Sequence, residues 1–510
     1  MAESNPSPAP HTAGLARIRD LVRNPISIIG LALAVVALGN ILFLFFIDLT
    51  SAHSSPYVGI LAYMIAPAFL AVGLILAVFG AFYTRRKRLE SAGAAPYFRL
   101  DFSDPAQRGA VAFFLAFVVV FVGMSVVGSY KAYTFTDSVS FCGQLCHSVM
   151  NPEFVAYSES PHARVACVDC HVGAGATWYV KSKLSGARQV FKTLLNTFPR
   201  PIPTPVHNLR PAAETCETCH WPKKFYGAQL KVFNHFDSDE KNTPRQIRLL
   251  IKTGGGDPAT GEPEGIHWHM NIDNEIRYVA ADEERQVIPY VYAKDLQGRV
   301  TEYFAKDSTL TRDQIAKAEK RRMDCVDCHN RPTHIYVSPE VSVDRSLLAH
   351  RMDITLPFLK QQSVAALTGK YDTTPAAMQG IAKTIENFYA DKYPDIAKSK
   401  QPEIRNAVEE LQRIYKLTFF PEMKVDWRTH PNNIGHLYFP GCFRCHDGNH
   451  VSAEGKVIPK DCNTCHTVLG QMENAVNIAS VPGLAFKHPV DLGDMTAVNC
   501  ADCHTGGVSP

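Results

Sequence analysis

The sequence predicts a mainly α-helical chain: three membrane-crossing helices at the N-terminal end, then a loop-rich domain carrying one β-rich and one helical insertion. Three observations predict it. Apolar stretches without a charge occupy residues 26–47, 57–83 and 109–130. Beyond them, fourteen cysteines fall into seven close pairs, and His follows every pair directly. Between the pairs lie one segment of alternating, β-branched residues and one with apolar residues three and four apart, the periods of strand and helix.

The stretches 26–47 and 109–130 are 22 residues long and 57–83 is 27 residues, with Pro67 inside. A bilayer core needs about 20 apolar residues as helix, so each can span. The first is too long for a cleaved signal and lacks a small-residue cleavage site, which makes it an uncleaved anchor. Basic residues set the orientation. Arg17, Arg19 and Arg23 precede the first span; Arg85, Arg86, Lys87, Arg88, Arg99 and Arg108 lie between the second and third; the loop between the first two has neither Lys nor Arg. The tail 1–24 and the loop 84–108 are therefore expected in the cytoplasm, and everything after 130 across the membrane. These two segments hold 9 Lys/Arg and 5 Asp/Glu, whereas the whole chain has a net charge of +3, so the remainder carries −1. An acidic outer part favours a partner with a basic contact patch. No nucleic-acid partner is expected, and the "TGGGD" run lacks the Gly-Lys-Ser/Thr ending of a phosphate loop.

Six of the seven pairs read Cys-x-x-Cys-His: Cys167/Cys170/His171, Cys216/Cys219/His220, Cys325/Cys328/His329, Cys442/Cys445/His446, Cys462/Cys465/His466 and Cys500/Cys503/His504. This is the attachment pattern of haem c, in which both thiols become thioethers on the porphyrin and the His faces the iron. A disulfide framework or zinc site would need no His directly after each pair. The earliest motif, Cys142/Cys146/His147, has one residue too many between its cysteines, Gly143, Gln144 and Leu145. The same His follows and the thiol count closes, so it is counted with the rest. Seven haem c groups, each with iron, are expected. The haem domain is a multihaem cytochrome c on the periplasmic side, where haem c is attached; this agrees with the orientation read from charge.

The organisation follows from the motif spacing. After the spans (25–130), residues 131–230 carry the first three motifs. Residues 231–322 form the β-rich insertion, 323–340 the fourth motif and 341–420 a cysteine-free helical insertion that reads as a spacer or docking module. Residues 421–510 carry the last three motifs. Only eleven residues separate residue 130 from Cys142, so the first haem is expected at the membrane surface.

Twenty histidines minus seven in motifs leaves thirteen, enough for a second axial ligand at many irons. A motif His is pinned to one face of its haem. His450 in "CFRCHDGNH" and His334 in "CHNRPTH" follow too closely to reach the opposite face, so they read as ligands to other haems. His162, His488 and one of His430 and His436 are further candidates, with His436 preferred. "HWH" is expected to place His267 and His269 on one face of a strand. One of these, preferably His269, or else His235 or His350, completes the set.

The third span leading into "FCGQLCHSVMNPEFVAYSESPHARVACVDCHVG", followed by "ETCETCH" and "CVDCHNRPTH", resembles the NapC/NirT family of membrane-anchored, quinol-oxidising cytochromes. The resemblance covers roughly 109–220 and 323–336. The full layout of three spans and seven motifs is most similar to an inner-membrane branch of metal-respiring bacteria. The resemblance implies that the first haem is not held by two histidines: a Met just after the motif can ligate it while the motif His turns aside. Met150 stands three residues after His147, where the family more often has two. The resemblance also implies that His162 and His334 ligate other haems of the core. It places a basic and an acidic residue beside the quinol after the second motif. Lys183 matches the basic position, and Gln189 falls where an acidic residue is usual.

The reading is thus an inner-membrane quinol dehydrogenase. It takes electrons from the membrane quinol pool, with menaquinol as substrate, and relays them to soluble periplasmic c-type cytochromes in anaerobic respiration, ultimately toward extracellular metal oxides. The rival is a periplasmic reductase of nitrite, hydroxylamine or a sulfur oxyanion, or the electron-transfer subunit of one. That needs an iron with an open coordination position and acid–base residues beside it.

Overall fold

The computed structural model describes residues 24–50, 65–91, 102–103, 105–172, 176–206, 209, 211–221, 225, 227–255, 265–270, 274–295, 297–473, 476–480, 483–493 and 498–507. Arg17, Arg19, Arg23 and Arg99, residues 57–64 of the expected second span and part of the "TGGGD" run lie outside them. The chain divides into two compact units, Met1–His147 and Ser148–Pro510.

In the first unit, α1 (Pro25–Thr50), α2 (Ala66–Ser91) and α3 (Pro105–Thr136) follow the three apolar stretches. Pro67 lies in the first turn of α2, where its missing N–H costs nothing, so it starts the helix instead of interrupting a span. Pro25–Leu44 and Ala66–Thr84 are long and apolar enough to cross a membrane. Their packing is inverted relative to a soluble protein. Small residues are buried: Ala34, Ala37 and Ala77, with Ser27 fully enclosed and donating to the Ala77 carbonyl at 2.9 Å. Large apolar residues face outward, Val35 at 68% exposure and Val78 at 71%. Gly30 and Gly73 let the backbones touch, for a Cβ on Gly30 would stand 2.4 Å from the Ala77 nitrogen. Close approach through small residues is how helices associate in lipid, which offers no hydrophobic gain. After α3 a π-helix spans Ser140–Leu145, and Phe141 meets Phe135 of α3 edge-on at 5.5 Å.

The second unit opens with α4 (His147–Ser158), which starts on the last residue of the first unit, then α5 (Cys167–His171), α6 (Ala176–Leu194) and α7 (Ala212–Cys216). Strands β1 (Gln229–Phe236) and β2 (Pro244–Ile251) precede a 3-10 helix at Ile266–Met270. Then come β3 (Glu275–Val279), β4 (Tyr290–Lys294), β5 (Val300–Ala305), α8 (Arg312–Lys317), β6 (Arg321–Arg322) and α9 (Cys325–Cys328). The helical insertion comprises α10 (Pro339–Leu348), α11 (Leu359–Leu367), α12 (Thr374–Lys392), α13 (Pro394–Ser399) and α14 (Gln401–Thr418). Strands β7 (His450–Ser452), β8 (His466–Glu473) and β9 (Val476–Ala479) and helix α15 (Cys500–Cys503) complete it.

Both sheets are antiparallel and both cross the expected boundaries. One runs β1-β2-β8-β9, the other β6-β3-β4-β5-β7. Strands from the C-terminal motifs thus pair with one side of each sheet of the β-rich insertion, β8 on β2 and β7 on β5, which locks the two segments together. The helical insertion is no spacer. α12 buries Ala377, Ile381, Ile385 and Tyr389 at four-residue spacing against Ala407, Leu411 and Ile414 of α14. The same core takes in Val149 and Ala156 of α4, Phe236 of β1 and Trp427. Asn242, in the β1–β2 turn, donates to the carbonyls of Ile354 and Leu356 at 2.9 Å each and accepts from the Lys360 N–H at 2.8 Å. Lys360 is buried but ion-paired with Asp344, which also accepts from the Phe236 N–H.

Candidate functional site: paired histidines at the cysteine motifs

Each regular motif is one tight turn. The His N–H donates to the carbonyl of its own first Cys at 2.8 Å in His220, His329 and His504 and at 3.0 Å in His446. One helical turn puts residues i, i+3 and i+4 on one side, so both thiols and the imidazole present to the same space. Asp327, inside the fourth motif, is nailed in place. It accepts from the Tyr278 hydroxyl at 2.7 Å, from Arg285 at 3.1 Å and from Arg321 at 3.0 Å.

The protein does not enclose all the motif cysteines alike. Cys170, Cys219, Cys462 and Cys503 are exposed, whereas Cys142, Cys146, Cys167, Cys216, Cys325, Cys328, Cys442, Cys445, Cys465 and Cys500 are half-buried. Cys170 lies in the short helix α5, before its last residue His171, and is more open than Cys167, its partner in the motif. The expectation that Cys170 attaches a haem therefore rests on no pocket walled by protein. It rests on the residue's place one turn after Cys167 and directly before His171. A thioether is a covalent bond, so such an anchor needs reach and orientation but no burial of the sulfur.

The tertiary structure sets a second His against every regular motif His. The ring centroids are 6.2 Å apart for His171 and His334, 6.1 Å for His220 and His162, and 6.3 Å for His329 and His267. They are 5.8 Å apart for His446 and His269, 6.2 Å for His466 and His436, and 6.0 Å for His504 and His488. A metal held between two imidazole nitrogens at about 2 Å each, with about 1 Å more from each nitrogen to its ring centre, spaces the centroids roughly 6 Å apart. Six pairs at one spacing fit an axially ligated iron. No cluster of three or more metal-ligating side chains occurs among the described residues.

In several of these rings the other nitrogen meets a carbonyl, whereas the buried Nδ1 of His436 and of His466 has no hydrogen-bond partner. The Nδ1–H of His334 donates to the Glu153 oxygen at 3.0 Å, His267 to Thr253 at 2.5 Å, His269 to Ile266 at 2.7 Å and His446 to Pro459 at 2.9 Å; the Nδ1 of His488 faces both the carbonyl of Val490, at 2.9 Å, and its N–H, at 3.2 Å. A carbonyl only accepts, so His334, His267, His269 and His446 carry the proton on Nδ1 and leave the Nε2 lone pair for a metal. Burial also lowers the pKa of His171, His269, His329, His436, His446 and His466, and brings His334 down to about 4. The neutral ring is the ligating form.

Residues 105–202 match the NapC/NirT cytochrome c family, N-terminal region, and residues 436–508 match cytochrome c3. The chain is also 48% identical over 484 residues to the cytochrome c-type protein ImcH of Geobacter sulfurreducens, covering 94% of this chain and 95% of that one. The chain belongs to the NapC/NirT cytochrome c family. No solved structure matches it. It is a multihaem cytochrome c of electron transport, anchored in a membrane by its N-terminal apolar helices.

The structure absorbs the extra residue of the first motif in the π-helix. A π-turn holds roughly 4.4 residues against about 3.6 in an α-turn, so Cys142 and Cys146, four apart, still lie nearly one turn apart. The motif keeps its geometry by changing helix type. Met150 is half-buried on α4, one turn after His147; the His147 side chain lies outside what the structure describes.

Two expectations are corrected for this NapC/NirT cytochrome. His450 is not set against a motif His. Its Nδ1 meets Asp447 at 2.9 Å and its Nε2 meets the Ile288 carbonyl at 2.7 Å, so both nitrogens are committed as donors. Burial alone would lower its pKa, but bonding to Asp447 overrides this and raises it. Conversely, "HWH" is not a strand. In its 3-10 turn of about 3 residues, His267 and His269 point apart, and each serves a different motif. His267 fills the place expected of His450. The signal available was Gly265, at φ +86°, which turns the chain just before the histidines.

Other histidines stand aside. His235 bonds to Asp344 at 3.2 Å, and His350 is exposed at φ +53°. Lys183 and Gln189 both lie on α6, Lys183 half-buried and Gln189 exposed with its amide 3.3 Å from Ser185. Six residues of helix put them about 120° apart round the axis, so the structure does not gather them on one face.

Proposed function

We propose that the chain is a seven-haem inner-membrane quinol dehydrogenase that oxidises menaquinol and passes the electrons to soluble periplasmic cytochromes, in respiration directed toward extracellular metal oxides. The observation that carries the reading is the set of six histidine pairs on a chain whose N-terminal helices face lipid. Haem iron with two strong-field ligands exchanges one electron with little rearrangement. The fourteen cysteines, the exposed Cys170 among them, would hold seven such groups by thioethers. His171, His220, His329, His446, His466 and His504 would supply one ligand each, and His334, His162, His267, His269, His436 and His488 the other. At the first motif Met150 or His147 would ligate.

Two imidazoles leave no open position at six motifs, which makes a terminal reductase the weaker reading. The tail and loop 84–108 would face the cytoplasm, α3 would be a third span, and the motifs would lie in the periplasm. α6 supports entry of a lipid-soluble substrate. It carries an exposed apolar stripe, Val180, Leu184, Phe191 and Leu194, with Lys181, Arg188 and Lys192 beside it and no Asp or Glu. Lys183 on this helix would donate a hydrogen bond to a quinol oxygen and favour its anion. Oxidation releases two electrons and two protons to the periplasmic side.

The test is anaerobic mixing of the purified protein with a reduced menaquinol analogue, following haem absorbance. Reduction within the mixing experiment is the expected result. A protein that dithionite reduces and menaquinol leaves ferric is no menaquinol dehydrogenase; nitrite-driven reoxidation would then favour the reductase.

A further inference from the structure

Arg331 is 7% exposed, yet its Nη2 has no hydrogen-bond partner. Its Nε donates to the His334 carbonyl at 2.7 Å, and its guanidinium lies 5.0 Å from the centre of the Tyr336 ring. The Tyr336 hydroxyl is bonded to Glu153. Arg331 has no salt bridge among the described residues. On the same aromatic ring, 6.3 Å from its centre, lies His430. His430 is 6% exposed; its Nδ1 stands 3.0 Å from the Thr204 hydroxyl and its Nε2 has no partner. If the hydroxyl donates to Nδ1, the proton sits on Nε2, and that atom is a second unused donor. The positive charge of Arg331 is felt at His430, where burial and then that charge lower the pKa to about 4. Neither residue belongs to a histidine pair.

The Arg331 side chain also bonds to the Tyr336 hydroxyl that Glu153 holds, but a buried guanidinium with no salt bridge of its own is costly, and so is a buried polar atom with no partner. The unused guanidinium donor, with the unused His430 nitrogen against the same ring, calls for an acceptor with negative charge. A carboxylate has the right form, since its oxygens can accept from the guanidinium and from an imidazole N–H together. We propose that Arg331 and His430 form a carboxylate site that takes a propionate of a bound porphyrin. The proposal rests on the haem reading above. The source is chosen by position: Arg331 lies two residues after His329 and is bonded to the backbone of His334, so it is tied to two histidine pairs at once. A guanidinium held there opposes the extra positive charge of ferric iron and so raises that haem's potential.

Arg331→Gln tests this by spectroelectrochemical titration of the matured protein, with intact mass checking that the haem complement equals the parent's. One redox component is expected to shift about tenfold toward the ferric form, about 59 mV for one electron. Arg331→Lys keeps the charge and loses the fork, so its shift should be smaller. His430→Leu should shift the same component a few-fold while every haem keeps its low-spin spectrum. If a fully loaded Arg331→Gln titrates as the parent does and differs only in melting temperature, or His430→Leu does so where Arg331→Gln does not mature, the pair is structural and the proposal falls. A new high-spin haem in His430→Leu would make His430 an iron ligand and overturn its part. A parent protein without attached haem would instead overturn the underlying reading.

Discussion

His267 and His329 stack with ring planes 1° apart, while His269, two residues on, meets His446 with planes 84° apart. Ligand planes act on the two iron dπ orbitals. Parallel imidazoles split them; crossed imidazoles leave them nearly degenerate. Frozen oxidised protein should therefore show two classes of low-spin electron paramagnetic resonance signal: an ordinary rhombic one and a strongly anisotropic one. The latter should also come from His220 with His162, at 78°. His267→Ala should remove intensity from the rhombic class and His269→Ala from the anisotropic one. A single class, or a spectrum unmoved by His267→Ala, would sink these pairings.

His450→Asn should leave every haem in the parent's spin state and every potential within error, yet lower stability by about 2 kcal/mol, the worth of hydrogen bonds to charged groups. The sign with pH is definite. The folded pKa of His450 is raised above 6.5, so its contribution is fully present below pH 6.5 and fades as pH rises through the folded value. The stability gap between parent and variant should close in mildly alkaline buffer. A haem that changes spin state would restore His450 as a ligand.

Gly30→Val should loosen the α1–α2 hairpin, because the nearest atoms to an added Cβ are backbone, 2.4 Å away at Ala77 and 2.6 Å at Gly73. Overpacking of this kind costs about 1–3 kcal/mol. Gly39→Val is the control, for nothing lies within 4 Å of its added Cβ. Melting in detergent should fall for the first and hold for the second; equal melting would show that the hairpin does not pack through Gly30.

Lys183→Leu should slow reduction by menaquinol analogues several-fold and leave reduction by dithionite unchanged, since dithionite needs no quinol site. Gln189→Leu should have the smaller effect, because Gln189 is exposed and lies about 120° round the helix from Lys183. Equal quinol rates in parent and Lys183→Leu would remove α6 from the quinol site.

The sequence by itself determined the local chemistry. Cys-x-x-Cys-His is complete within five residues, so motif number and motif histidines needed no tertiary structure. Apolar length marked α1 and α2, and period marked the helices of 341–420. His162 and His334 were named from local arguments and resemblance. What the sequence could not decide was which distant residues meet, or how far the fold would cover each motif, as the exposed Cys170 beside the half-buried Cys167 shows. His267 comes to His329 across 62 positions, and only the 3-10 turn after Gly265 separates it from His269. His450 was misread because its position in the chain said nothing of Asp447 and the Ile288 carbonyl, which occupy both its nitrogens. The same holds for the sheets, in which β7 and β8 arrive from the C-terminal segment to pair with β5 and β2. Ligand pairing and strand pairing are long-range choices, fixed by packing that no window of sequence contains.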